Sequence, residues 1–385
     1  MIPVFYSWRS LLARRLSTAA TVIGLGLVVF VFAAVLMLSN GIESALEAGG
    51  DPDNLVLLRE GADNEIASGV ERDALRVIAS WPEVATSTGG QSLAAGETVV
   101  IVALPRGDDR FTNATARGID GASLALRPAV RIVEGRAPRP GSYEVAIGTG
   151  IVGRSPGAFV GGELRFANQR WPVVGVIAAE GSALESEIWA WGDALRSAFQ
   201  RQGFSSIVVR APSIEQRDQL ALRVEGDVRF TLEATPEDDY WAEQAQGMAT
   251  FIRVLGLFVS LVFGVGAILG AMITMYAQVA ARVRELAMMR AVGFRRTSVL
   301  GSVVVESALL GAAGGILGAV GAFFMRWVEI RTVNFDTFSE VSFGFAPTAG
   351  ILFAAVAFGI GMGLIGGLLP ALKAARISVL DGLRA

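Results

Sequence analysis

The chain has 385 residues, 52% of them hydrophobic and only 18% charged, with a net charge of −3 and a mean hydropathy of +0.51. Soluble globular proteins carry about 25% charged residues, so this composition points to a membrane protein, and its mild acidity gives no reason to expect nucleic acid as a partner. Histidine and cysteine are absent and Lys373 is the single lysine, which excludes disulfides, thiolate or imidazole metal sites, an imidazole base and a Gly-Lys-Ser/Thr phosphate loop.

Residues 1–16 (MIPVFYSWRSLLARRL) place Phe5, Tyr6 and Trp8 beside Arg9, Arg14 and Arg15, a mixture suited to a helix lying at the inner membrane interface. Residues 17–39 are uncharged. They make about 35 Å of helix, enough for a first membrane span. The run is too long for a signal peptide and lacks a small-residue cleavage site close behind it, so no cleavable leader is expected. Asn40-Gly41 then leads into an acidic stalk carrying Glu43 and Glu47.

Residues 40–247 read as a large extracytoplasmic domain, with mixed charge, alternating apolar patterns and many turn signals from about residue 50 onward. NLVLL (54–58) and ETVVIVAL (97–104) predict strands, with a helix over 69–80 between them. Farther on, the pattern predicts a helix over 186–200, a strand over 205–210, a helix over 213–224 and a strand over 227–233. Two β-α-β units follow, as in a split ferredoxin-like arrangement, separated by a Gly-rich insert at about 113–185 that reads as a small β-rich lobe.

A second span is expected over 248–277, a loop over 278–298, a third span over 299–327, an acidic hairpin over 328–346 and a fourth span over 347–369. The hairpin carries Glu329, Arg331, Asp336 and Glu340, and 370–385 form the tail. With both termini inside, the inner segments hold eleven Lys and Arg against only Glu285 and Asp381. The positive-inside rule therefore puts the termini in the cytoplasm and the large domain outside.

The loop is the most patterned stretch. In RVRELAMMRAVGFRR, helical spacing aligns Val279, Val283 and Leu286 along one stripe with Arg282 and Glu285 beside it, and Gly293 breaks the helix. Physics alone allows either a docking segment or a plain anchoring loop. The sequence RELAMMRAVGFRR, followed by Glu306-Ser307, ALLG and AAGG, resembles the signature of the FtsX-like/MacB-like permease family of ABC transporters. LVLLREGADNEIASGVERDALRVIASWPEVA resembles the opening of that family's periplasmic domain. The tail PALKAARISVLDGLRA matches less well, because Ser378-Val379 stands where proline is usual. The resemblance covers essentially the whole chain.

The resemblance implies an α-helical membrane protein with four transmembrane helices and a large porter-like α+β domain. It also implies a multi-pass protein of the bacterial inner membrane, without a fused ATPase and with no cofactor. A cognate ABC ATPase would dock on the loop, a second permease copy would complete a dimer, and a periplasmic adaptor could join them. The docking residues it implies are Arg282, Glu285, Leu286, Met289, Arg290 and Gly293. Leu286 and Met289 would seat in the ATPase groove, with the charges at its rim. A non-transporting signal relay that activates a periplasmic partner, as in FtsX, needs the same loop and spans. The large outer domain and short N-terminal segment favour transport.

Other motifs carry less. Gly153-Arg-Ser155-Pro-Gly157 spells a nucleophile elbow, but no histidine exists to serve as its base. Asn113-Ala-Thr115 is a formal glycosylation sequon that reads as a surface loop. Gly311/Gly315, Gly314/Gly318 and Gly359/Gly363/Gly367 have the spacing of close helix contacts, either within one subunit or between two. Glu306 is the one acidic group well inside a span and must face protein or water. With no further ionisable group at its depth, a structural hydrogen bond is expected of it rather than proton relay.

Overall fold

The structure is a computed structural model that describes residues 15–106, 110–333 and 340–377. The expected interfacial segment before residue 15 and the tail beyond 377 lie outside the described residues, as does Asp336. In chain order the elements are α1 (Arg15–Glu47), β1 (Asn54–Arg59), α2 (Arg72–Ile78), β2 (Ala94–Arg106), β3 (Arg110–Ile119), β4 (Arg131–Gly135), β5 (Val145–Gly148), β6 (Glu163–Phe166), β7 (Gln169–Ala178), β8 (Glu187–Trp191), α3 (Gly192–Phe199), β9 (Ser206–Arg210), α4 (Ile214–Glu225), β10 (Leu232–Pro236), α5 (Glu237–Ala280), α6 (Val283–Ala291), α7 (Arg296–Phe323), β11 (Glu329–Val333), β12 (Glu340–Gly344) and α8 (Ala349–Arg376). They form two units. One comprises Ile42–Ala249 with Glu329–Phe343; the other is the described parts of Met1–Gly41, Thr250–Val328 and Gly344–Ala385.

The first unit is α+β. Its main sheet runs β10-β1-β9-β2-β3-β8-β5-β7-β4, with β6 paired to β7. The first four strands, with α2 following β1 and α4 following β9, reproduce the split β-α-β order, in which each crossover returns a strand two places away. Alternate residues of these strands, Leu55, Leu57, Ile207 and Val209, pack with Ala74 and Ile78 of α2 and Leu220 and Val224 of α4. A second core lies under the other half of the sheet and includes Val100, Val102, Ile147, Trp171, Ile188 and Leu195.

The inserted strands are not a detached lobe. β2 is 13 residues long. Its first residues pair with β9 and the remainder with β3, so one strand belongs to both halves of the sheet. The insert therefore begins within β2, upstream of residue 113, and Asn113 and Thr115 lie inside β3 rather than in a loop. The helix expected over 186–200 is also corrected: Glu187–Trp191 is a strand, parallel to β3 and antiparallel to β5. All but its last residue are buried, so EIWAW carries no one-sided periodicity, and its Ile and Trp favour the sheet. The helix starts only at Gly192. The strand expected over 227–233 starts later, at Leu232, after a turn in which Thr231 has φ +47°.

The second unit holds the greater part of four helices long and apolar enough to cross a membrane: Arg15–Leu46, Glu237–Ala280, Arg296–Trp327 and Ala349–Arg376. All three glycine ladders close this unit from within. A Cβ on Gly311 would stand 2.5 Å from the Gly359 carbonyl oxygen, and one on Gly363 would stand 2.5 Å from the Ser307 carbonyl, so α7 and α8 meet backbone to backbone. Gly318 approaches the Gly26 carbonyl of α1 equally closely. Such approach maximises dispersion contact where lipid supplies no hydrophobic drive between helices. α1 does not stop at Asn40-Gly41: Gly41 lets the backbone at Gly344 pass against the helix, and the Ala346 amide donates to the Met37 carbonyl at 3.1 Å. The outer face of α5 exposes Phe251, Phe258, Leu261 and Ile273.

Candidate docking site between the second and third spans

The helix α5 ends at Ala280, and Arg282 forms the corner into α6, its carbonyl accepting the Leu286 amide at 2.9 Å. The other end of α6 is closed by Gly293 at φ +105°. The Gly293 amide donates to the Arg290 carbonyl at 3.1 Å and the Phe294 amide to the Met289 carbonyl at 3.2 Å. This is the double bond of a Schellman ending, and glycine takes its left-handed position at least cost. Arg295 is extended, and α7 begins at Arg296. The two corners thus cut out a separate nine-residue helix between two membrane-length ones.

The inner face of α6 is built into the chain's own core. Leu286 is buried with Met275, Val279, Val299, Val303, Leu310, Ala371 and Ala374, and Met289 packs against the same cluster. The buried Arg282 guanidinium donates through Nη1 to Glu306 Oε2 at 2.8 Å, while its Nε lies 3.6 Å from Glu285 Oε2. Arg290 donates through Nη1 to the Ile377 carbonyl at 2.9 Å and to that of Ala375 at 3.3 Å, capping the carboxyl end of α8. Of the six implied docking residues, the structure therefore turns Leu286, Met289, Arg282 and Arg290 toward the chain itself. Gly293 shapes the corner, and Glu285 alone has an exposed charged side chain.

The outer face is different. Met288 is 48% exposed, Val292 81% and Phe294 38%, with Arg284, Glu285, Arg295 and Arg296 exposed around them. Arg284, Met288 and Val292 follow at four-residue steps along one side. Sequence reasoning missed Met288, Val292 and Phe294 because stripe-finding identifies the buried side of a helix, and here the chain itself buries that side.

A second constellation was absent from the sequence reading. Arg117 of β3 uses all five N–H groups: Nε and Nη2 donate to Glu187, both Nη atoms to Glu65, and Nη1 also to Glu97, at 2.8–2.9 Å. Glu97 also accepts from Arg127, whose Nη2 lies 3.0 Å from Glu237. Burial would push the Glu97 carboxyl up, but the Arg127 and Arg117 charges hold it below its usual value. Glu65, Glu97 and Glu187 each accept from a fixed guanidinium and are buried with it, which marks the cluster as structural. Ser155 is likewise occupied, donating to the Pro105 carbonyl at 2.7 Å. Among the described residues no cluster of acidic groups could hold a metal ion.

Residues 16–226 match the family model of the MacB-like periplasmic core domain, and residues 257–379 match that of the FtsX-like permease C-terminal region. The chain belongs to the FtsX-like/MacB-like permease family. The permease is 24% identical over 408 residues to the ABC transporter permease YknZ of Bacillus subtilis, covering 97% of this chain and 96% of that one. It is 25% identical over 414 residues to the macrolide export ATP-binding/permease protein MacB of Hyphomonas neptunium, covering 96% of this chain and 59% of that one. It is 32% identical over 115 residues to the Bacillus subtilis permease YvrN, covering 30% of this chain and 26% of that one. It matches 33% of the length of the Hahella chejuensis MacB and 19% of that of the Aeromonas hydrophila MacB 2. Among solved structures, the extracellular domain of YknZ from Gram-positive bacteria aligns with a TM-score of 0.38 at 14% identity, over 47% of this chain and 99% of that one. The periplasmic region of MacB from Actinobacillus actinomycetemcomitans aligns at 0.37 and 12%, over 50% of this chain and 92% of that one.

Proposed function

We propose that this chain is the permease subunit of an ABC transporter in the bacterial inner membrane, with its termini cytoplasmic and its α+β unit outside. An ATPase lying outside residues 1–385 docks beneath the 278–298 loop. Closure of a pair of such ATPases moves the spans and, through them, the outer units of two permease copies, exporting or extracting a substrate of the cell envelope. The observation that carries this reading is the exposed face at α6: three apolar side chains inside a ring of charges, held between two membrane-length helices and edged by Arg284, Arg295 and Arg296 on the side the positive-inside rule assigns to the cytoplasm. A docking helix that carries force needs apolar residues to seat it and charges to fix its register. Met288 and Val292 seat it; Glu285, Arg284, Arg295 and Arg296 form the rim. The absence of a Gly-Lys-Ser/Thr loop from this sequence assigns ATP binding elsewhere. The full porter-like unit supports transport over a pure signal relay.

The test is co-purification with the ABC ATPases of the same organism, followed by the stimulated turnover of the one that binds. Replacing both Met288 and Val292 by Glu is expected to cost about 2 kcal/mol or more, roughly thirtyfold in affinity, as for central anchors of an interface. Glu285→Ala weakens binding less, and Glu233→Ala in the outer unit leaves it unchanged. Wild-type binding and turnover in the double Glu variant would reduce the loop to a membrane anchor.

A further inference from the structure

The docking reading explains the outer face of α6 and leaves its inner charges without a task. Arg282 stands at the corner between α5 and α6, yet its guanidinium reaches 24 residues ahead in the chain to Glu306, a buried carboxylate on α7. Arg290, two turns later, reaches 85 and 87 residues ahead to the last carbonyls of α8. Between these two ties Leu286 sits in a core made of residues from α5, α7 and α8. A helix hung only between two spans could swing about its corners, because Arg282 lies outside regular helix and Gly293 is left-handed. This one is pinned at both ends by charge-assisted bonds, one to α7 and one to the end of α8.

We propose that Arg282, with Glu306, and Arg290 are positioning residues that clamp α6 to the third and fourth spans. Displacement of α6 by the docked ATPase then moves α7 and α8 as one body. The proposal rests on the docking reading for its purpose, but the clamp itself is a property of this chain alone. α7 and α8 are already joined backbone to backbone through Gly311, Gly359 and Gly363. Holding α6 to both adds the loop to that rigid pair. The interior ion pair fixes direction as well as contact, because guanidinium and carboxylate meet in a narrow range of angles.

Two readouts test it. In the first, the chain carries Leu286→Cys as its single cysteine, and labelling by a membrane-impermeant maleimide is followed in inside-out vesicles. Labelling is expected to be slow with Glu306 intact and about tenfold faster with Glu306→Gln or Arg290→Gln, since each removes one tie from the buried helix. Unchanged labelling in both variants would overturn the clamp, whether or not an ATPase binds. In the second, the ATPase is co-purified and its stimulated turnover measured. Glu306→Gln is expected to keep ATPase binding while stimulated turnover falls by about tenfold. The reversals Arg282→Glu and Glu306→Arg each lose coupling, and the double reversal recovers it, which a merely bulky role would not produce. A double reversal no better than either single change, with all three inserted equally, contradicts the proposal. Where a variant inserts poorly, Arg282→Lys, which keeps the charge and loses the fork, is measured instead, and full coupling in it would count against a geometric role. An ATPase that binds no form of the chain would refute the docking reading and leave the labelling result to decide the clamp.

Discussion

Arg117 and Glu187 meet through two parallel bonds, Nε to Oε2 at 2.8 Å and Nη2 to Oε1 at 2.9 Å, with the arginine 1% exposed. The pair joins neighbouring strands β3 and β8, and Arg117 also binds Glu65 and Glu97 from outside that pair. Removing the guanidinium would leave three buried carboxylates facing one another. Arg117→Met is therefore expected to destabilise the α+β unit by about 3–5 kcal/mol, the usual cost of breaking a buried pair from one side. Replacing Glu65, Glu97 and Glu187 by Gln in the same chain should return part of that loss. Thermal unfolding of the purified chain measures both. Equal stability of Arg117→Met and wild type would show that the cluster is not closed to water.

Acid should loosen the insert through a second pair. Both Arg136 nitrogens Nη1 and Nη2 donate to Glu144 at 2.6 Å, and these bonds, aided by the Arg139 amide, hold the Glu144 carboxyl at about 2 despite some burial. A folded-state value below the unfolded one stabilises at pH above the unfolded value, and the gain is lost as pH falls toward about 2. Asp120 acts in the opposite sense, because burial raises its carboxyl and ionisation above the unfolded value weakens the fold. Glu144→Gln should therefore lower the melting temperature at about pH 7 and make little difference near pH 2. An equal effect at both pH values would remove the ion pair as its cause.

The glycines of the membrane unit divide into two kinds. Gly363 has no room for a Cβ beside the Ser307 carbonyl, whereas Gly266 has nothing within 4 Å. Gly363→Val is expected to separate α7 from α8, costing about 1–3 kcal/mol or blocking assembly. Gly266→Val should be silent in the fold of one chain. Yield of folded protein in detergent distinguishes them, and a folded, native-like Gly363→Val would contradict the backbone contact.

Orientation has its own test. A reporter active only outside the cytoplasm should be active when fused after Glu180 and silent when fused after Arg296. Activity at Arg296 would place the loop on the wrong side for any cytoplasmic partner.

Much of this architecture is legible in the sequence because the bilayer demands it. Four predominantly apolar runs of membrane length cannot be hidden, and arginines collected between two of them set a side. Gly293 also announces itself, since a left-handed corner favours glycine. The misread segments share a cause. Glu187–Trp191 is buried on both faces, so it has no period to read, and it was absorbed into the helix that follows. Glu97, Arg117 and Glu187 looked like ordinary polar positions in alternating strands, because only the pairing of β2, β3 and β8 brings them together. The resemblance implies a partner for Leu286, and the helical pattern alone does not decide against it. Periodicity finds the apolar side of a helix, but it cannot say whether that side meets its own chain or another.

The ATPase is expected to seat on the outer face of α6. The chain has no cysteine of its own, so a single cysteine at Met288 or Val292 can be cross-linked to the co-expressed ATPase without background. Cross-links are expected from positions 288 and 292, weaker ones from Glu285, and none from the buried Ala287 or from Glu233 in the α+β unit. Cross-links absent from 288 and 292 while the ATPase still co-purifies would contradict that seating.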